Sequence, residues 1–357
     1  MRTEHVLRVG DAAAMDAVAD ESVDLVVTSP PYPMIDLWDD LFAARDPDVR
    51  AALDAGAGDA AFDLMHAQLD AVWDEVARVL APGGVVCVNV GDATRSVGGE
   101  FQQFPNHARI VDALRSRGLT PLPDVLWRKP TNSHTKFMGS GTLPPNAYVT
   151  LEHEYVLLFR KGGPRSFPPG DDRRYESAFF WEERNRWFSD LWELRGEGQA
   201  LDPAGDGSDG RRDRSAAFPL EIPLRLIRMF SVRDDRVLDP FVGTGTTALA
   251  AMLAARNSVG YDLDGDLFDA LDDRLTDIQS ASRRRVIDRL DRHRAAIQDR
   301  DGGYEAEHFD FRVVTKRERR IRPYAVDSVV ERSAGDGRRY VLEHVPADGI
   351  IEPPHEE

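Results

Sequence analysis

The chain has 357 residues, 42% of them hydrophobic, one cysteine and a formal net charge of −17. That length supports one large catalytic core with a smaller module, while the lone Cys87 excludes an internal disulfide framework and a multi-cysteine zinc site. No run of about 18 apolar residues occurs and Met1–His5 leads into no apolar signal segment, so a cytoplasmic chain without membrane spans and without a metal is expected.

The first strand is expected at Val6–Val9, closed by Gly10 and Asp11, and the second at Val23–Val27, stopped by Ser29-Pro30-Pro31, with a short helical stretch between them. From Asp63 to Leu80 the spacing of Leu69, Val72, Trp73, Val76 and Leu80 predicts a helix, ended by Pro82-Gly83-Gly84 before a buried strand Val85–Val88. A helix near 106–117 and strands near 124–127 and 154–159 continue the alternation. An α/β fold with a doubly wound, mainly parallel sheet covered on both faces follows.

Between Gly162 and Ala216 the pattern gives way to proline, glycine, arginine and aromatic residues, and the run from Gly205 to Gly210 reads as a mobile loop. Order returns with a helix at Pro219–Phe230, a strand at Arg236–Leu238, a glycine turn, a helix at Thr246–Ala255 and a strand at Ser258–Tyr261. After Asp262 one long charged helix is expected to about Arg300, then strand-like pieces at Phe309–Val314 and Tyr340–Val345.

Two segments carry chemistry. The turn Asp239-Pro240-Phe241-Val242-Gly243-Thr244-Gly245-Thr246-Thr247 joins a strand to a helix, where open α/β sheets place ligands, and its glycines let backbone approach a bound molecule. A dinucleotide fingerprint expects a further glycine three residues after Gly245, where Ala248 stands. Asp262, ending the next strand, is placed to accept both hydroxyls of a ribose. In Thr28-Ser29-Pro30-Pro31-Tyr32 the two prolines remove N–H donors, so the loop presents carbonyls, a hydroxyl and an aromatic ring. Such a loop suits a base amine, with Tyr32 stacking on an extruded base; a rigid turn with a packing tyrosine is the structural alternative.

Together these motifs resemble the beta class of the DNA amino-methyltransferases, in which an SPPY or DPPY loop precedes a DPFxGxGTT turn in a circularly permuted order. The likeness spans roughly residues 5 to 265 and includes His153-Glu154-Tyr155 and Phe218-Pro219. It implies a Rossmann-like, S-adenosylmethionine-dependent fold. Asp239, Phe241, Gly243, Gly245 and Thr246 would line the cofactor pocket, Asp262 hold the ribose, Asp11 reach the adenine, and Phe218 and Pro219 flank the methionine end. Ser29, Pro30, Pro31 and Tyr32 would form the base site.

The implied reaction is direct methyl transfer to a flipped base in duplex DNA. Cys87, between Val86 and Val88 in a strand, reads as packing rather than as a nucleophile. Serine at the first loop position resembles the cytosine-N4 enzymes. With Pro33-Met34-Ile35 and the acidic, arginine-rich composition it looks like the CTAG-specific enzymes of haloarchaea; adenine-N6 or RNA methylation remains the alternative.

The net charge counts against a chain-wide nucleic-acid surface, but arginines gather at 109–136 and 160–195, so a local patch stays open. Target recognition is expected from residues 131–216, with Arg128, Lys129, Lys136, Arg173, Arg174, Arg184 and Arg186 as DNA contacts and Tyr175, Trp181 and Trp187 as stacking platforms. The expected division is a catalytic half at 1–130, the recognition region at 131–216 interrupted by the core strand 154–160, a cofactor-binding half at 217–300 and an extension at 301–357 without assigned role. A cognate restriction endonuclease, solitary action and a homodimer are all left open.

Overall fold

In the run Val23–Thr28, Leu25 and Val27 point to one buried cluster and Val26 to another, so the strand is apolar on both faces and needs a layer on each side. A computed structural model describes residues 1–129, 139–194, 218–300, 302–333, 335 and 337–349. Lys136 and the run 205–210 lie outside the described residues.

The first half contains β1 (Arg2–Val9), β2 (Val23–Thr28), α1 (Asp39–Arg45), α2 (Pro47–Asp54), α3 (Gly58–Val79), β3 (Leu80–Val90), β4 (Ala93–Val97), β5 (Glu100–Phe104), α4 (Asn106–Ser116), β6 (Leu119–Pro121), β7 (Val125–Arg128) and β8 (His153–Lys161). Then come α5 (Asp172–Glu176), α6 (Trp181–Trp187), β9 (Leu191–Glu193), α7 (Glu221–Phe230), β10 (Arg236–Asp239), α8 (Thr246–Leu253), β11 (Asn257–Asp262), α9 (Asp269–Leu275) and α10 (Ile278–Ile297). The remainder gives β12 (Tyr304–Glu305), β13 (Arg312–Val313), β14 (Tyr324–Ser333) and β15 (Gly337–Pro346).

The main sheet runs β14-β15-β1-β11-β10-β2-β3-β8-β7-β9, with β6 also on β8. Its centre, β1-β11-β10-β2-β3, is parallel, whereas β15 and β8 flank it antiparallel. This is the expected doubly wound α/β architecture. One face is covered by α7 and α8, the other by α3 and α4. In α3, Met65, Leu69, Val72, Trp73, Val76 and Val79 recur at three- and four-residue steps and are all buried. Each such side chain contributes about 1.5–3 kcal/mol through burial. Cys87 packs in the core, fully buried, its thiol pushed up by burial.

Three expectations are corrected. Residues 10–22 form turns rather than a helix. The Arg78 guanidinium donates to the carbonyls of Met15 and Val18, and Glu75 accepts the Met15 N–H, so these groups are taken from a helical ladder. The helix after Asp262 is broken: Phe268, Leu271 and Leu275 pack on the sheet, whereas Val286 and Leu290 pack on a third cluster with Phe180, Phe311, Val313 and Ile321. The expected strand at Phe309–Val314 shrinks to β13, while the C-terminal extension adds β14 and β15 to the main sheet beside β1.

Among the described residues no helix is long and apolar enough to cross a membrane, and no group of three or more His, Cys, Asp or Glu is placed to hold a metal ion.

Candidate active site

Parallel strands β10 and β2 are neighbours, with Val237 opposite Leu25 and Leu238 opposite Val26, so the two motif loops leave the sheet side by side at its carboxyl edge. A cavity of about 930 Å³ opens there. It is lined by Ser29, Pro30, Pro31 and Tyr32 from one loop and by Asp239, Phe241, Gly243, Thr244 and Thr246 from the other. Asp11, Asp262 and Phe218 of the expected set also line it, and Trp38, Phe42, Arg45, Leu69, Val72 and Leu267 add walls not foreseen. Residues separated by some 200 positions in sequence thus share one cavity.

Gly245 and Pro219 do not line it. Gly245 adopts φ +77° at the start of α8, and a Cβ there would meet Leu271 at 3.0 Å, so its glycine serves the turn and close packing. Pro219 is buried just before α7.

The Asp262 Oδ2 accepts the Gly243 N–H at 2.9 Å and Oδ1 accepts the Asp264 N–H at 3.0 Å. Each oxygen keeps acceptor capacity for a vicinal diol. Asp11 Oδ2 accepts from Arg45 Nη2 at 2.6 Å, which joins α1 to the loop after β1. Burial opposes ionisation of Asp11, and the Arg45 hydrogen bond, the Ala13 N–H and the Arg45 charge together more than offset it, holding the carboxyl below its usual range. These polar groups with the apolar walls fit the ribose, purine and thioether of S-adenosylmethionine. Replacing Asp262 by Ala removes a charged acceptor pair and should raise the cofactor dissociation constant by about 10- to 100-fold. Isothermal titration calorimetry measures it; an unchanged constant would remove Asp262 from the pocket.

Asp239 acts differently from the expectation of a simple lining residue. It is buried and accepts from the Thr28 hydroxyl at 2.6 Å and from the Phe241 N–H at 3.1 Å, tying the turn after β10 to the end of β2. Burial lifts its carboxyl to about 6, against the pull of Thr28, Thr247 and Phe241. A folded-state value above the unfolded one means that its contribution is fully present below pH about 4 and lost as pH rises through about 6. Relative to wild type, Asp239→Asn should therefore gain roughly 3 kcal/mol between pH 4 and pH 7. Urea midpoints at stepped pH check this, and a pH-independent difference would contradict it.

On the wall formed by the proline loop, Tyr32 Oη lies 3.0 Å from Ser29 Oγ, 3.0 Å from Glu154 Oε2 and 2.8 Å from Asn89 Nδ2. Lys129 donates to Glu154 Oε1. The loop beyond Tyr32 is held by Asn106, whose Nδ2 donates to the carbonyls of Pro33 and Gly91, both at 3.0 Å, and whose Oδ1 accepts from His66. Burial pushes His66 down to about 4, so it serves as a neutral donor. Sequence reasoning assigned no role to Asn89, Glu154 or Asn106. The available signals were one amide inside the apolar run Val85–Val90 and one carboxylate at a strand start.

The expected DNA contacts are scattered. Lys129 is engaged by Glu154, and Arg128 is paired with Glu152 and Glu193, although both lie at the catalytic edge. Arg173 and Arg174 sit on α5, which is tied through Glu176 to Arg233 and lies by the amino ends of β2 and β10, away from the cavity. Arg184 and Arg186 are exposed on α6, which docks on α10. Trp187 is buried in the core and is no stacking platform; Trp181 is partly exposed, and Tyr175 is covered by Arg320.

A family model described as DNA methylase, of the N6/N4 type, matches residues 23–272. The chain is a member of the N6/N4 DNA methylase family. The Type II methyltransferase M.MthZI of Methanothermobacter thermautotrophicus is 48% identical over 328 residues, 91% of each chain. The Type II methyltransferase M.MjaI of Methanocaldococcus jannaschii is 48% identical over 284 residues, 76% of this chain and 91% of the relative. Among solved structures, a DNA modification methylase of Thermus thermophilus complexed with S-adenosyl-L-methionine superposes with a TM-score of 0.58 at 31% identity, covering 76% of this chain and 92% of that one. This methylase is accordingly a DNA methyltransferase that uses S-adenosylmethionine, with the beta-class order of its two motifs.

Proposed function

We propose that this methylase transfers a methyl group to the exocyclic N4 amine of a cytosine flipped out of duplex DNA, with CTAG as its target sequence. The observation that carries the base assignment is Ser29: a hydroxyl, not a carboxylate, faces the cavity that also holds Asp262. Bound S-adenosylmethionine supplies an activated methyl group. The protein's part is to hold the amine and exclude water. Ser29 and the carbonyls of its proline loop accept the amine hydrogens, which concentrates electron density on nitrogen, and the apolar walls keep the site dry.

Covalent attack on a base carbon has no nucleophile here, because the one thiol is buried within β3. Base reading is assigned to the loop 139–152 and the β4–β5 hairpin, which meet where Phe101 stacks on Tyr148 and which leave Leu143 and Val149 exposed. Arg173 and Arg174 are left out of that surface by their position.

The test incubates the enzyme with tritiated S-adenosylmethionine and, separately, DNA duplexes with CTAG, DNA duplexes without it and RNA, at low and high salt, and chromatographs the nucleosides. Label in N4-methylcytosine confined to the CTAG duplex is expected. Label in N6-methyladenine would replace the base assignment, and label in the duplex lacking CTAG would replace the target. Label accepted only by RNA would overturn the reading altogether.

A further inference from the structure

We infer that Glu154 is a positioning residue that sets the direction of the Ser29 hydroxyl, turning its oxygen toward the base as an acceptor and withholding its hydrogen. The inference rests on Ser29 facing the base amine, as proposed above. It follows from counting hydrogens around one phenol. Tyr32 Oη has three neighbours at 2.8 to 3.0 Å, Asn89 Nδ2, Ser29 Oγ and Glu154 Oε2, and a phenol offers one hydrogen and two acceptor positions.

The Asn89 amide can only donate, and its second hydrogen goes to Glu154 Oε2 at 2.7 Å; a reversed amide would set oxygen against carboxylate. Lys129 donates to the other carboxylate oxygen, so both oxygens of Glu154 face nitrogen donors and act as acceptors. The Tyr32 hydrogen therefore goes to Glu154. Burial, and after it the Glu154 charge, pushes the Tyr32 phenol well above its ordinary value, so that hydrogen stays in place to be donated.

One position on Tyr32 is left, and only the Ser29 hydrogen can fill it. Ser29 Oγ then keeps its lone pairs for the cavity, where a base amine brings hydrogens and no available lone pair. A keto oxygen at the same ring position, as in thymine, meets lone pairs instead of a donor and is rejected. Gly91 makes the arrangement compact: a Cβ there would come within 3.2 Å of both the Tyr32 ring and the Glu154 side chain.

The test compares kcat, the DNA KM and the cofactor dissociation constant in wild type, Ser29→Ala, Glu154→Gln, Tyr32→Phe and the Ser29→Ala/Glu154→Gln double variant. A glutamine amide can donate to Tyr32 and reverse the chain of hydrogens, so Glu154→Gln should lower kcat about 10- to 100-fold, with cofactor binding unchanged. In the Ser29→Ala background the same change should cost less than about threefold, because the hydroxyl it directs is gone. Tyr32→Phe, which keeps the ring and its packing, should behave like Glu154→Gln. Full kcat in Glu154→Gln and Tyr32→Phe beside an impaired Ser29→Ala would overturn this inference alone. Losses that multiply in both backgrounds would also overturn it, leaving Glu154 a structural role. Full kcat in Ser29→Ala would overturn it together with the base-site reading.

Discussion

Ser29→Ala is expected to lower kcat by about 10²- to 10³-fold, the usual cost of losing one preorganised polar group aimed at developing charge. Its cofactor dissociation constant should stay within about threefold of wild type, because such an interaction is realised only as the reaction proceeds. The separation has a structural basis. Ser29 is held by Tyr32 on the wall of the cavity proposed to take the base, whereas Asp262 accepts the Gly243 N–H of the glycine turn. The substitution removes one small hydroxyl from a loop whose backbone is set by Pro30, Pro31 and the Asn106 hydrogen bonds, so the loop should keep its course. Single-turnover kinetics with saturating cofactor and calorimetry on the same preparation read the two quantities. A loss confined to cofactor binding would reverse the assignment of the two motifs.

Arg289→Ala is expected to cost about 3–5 kcal/mol of stability, since it leaves a buried carboxylate without its partner. Arg289 and Glu183 are both buried, and the guanidinium donates to Glu183 Oε1 at 2.7 Å and to Oε2 at 2.8 Å while lying over the Phe180 ring. Glu183 also accepts the Phe180 N–H at 2.9 Å and so starts α6. Burial pushes the Glu183 carboxyl up, and the Arg289 charge and hydrogen bonds more than offset that, leaving it below its usual range. With a lowered folded-state value, this contribution is present above the unfolded value and lost as pH falls through the folded one. Urea denaturation measures the loss. The paired change Glu183→Leu/Arg289→Met should recover most of it, because removing both charges leaves no uncompensated ion. A single-variant loss under about 1 kcal/mol would mean that water reaches Glu183 once Arg289 is gone.

Local chemistry made much of this protein legible in its sequence. Val23–Val27, Val85–Val88 and Arg236–Leu238 read as strands because they are short apolar runs cut off by proline or glycine, and the helix at 63–80 because its apolar residues recur with helical spacing. The turn from Asp239 to Thr247 and the loop from Ser29 to Tyr32 carry their meaning in consecutive residues, since backbone freedom and missing donors are properties of the residues themselves. Nearly all of the cofactor and base residues expected from them do line one cavity.

Tertiary structure alone decided where the charges went. Lysine and arginine look alike in a sequence whether they face phosphate or a neighbouring carboxylate, and here Lys129, Arg128 and Arg289 are taken by acids 24 to 106 positions away. The Tyr32–Asn89–Glu154 cluster depends on β3 and β8 pairing antiparallel with Asn89 opposite Val156, a register that no local pattern encodes. The same holds for the turns at 10–22, where the distant Arg78 takes carbonyls that helical spacing would have assigned to a helix. Backbone preference acts between near neighbours and can be read along the chain, but hydrogen bonds and ion pairs satisfy whichever groups the sheet brings together.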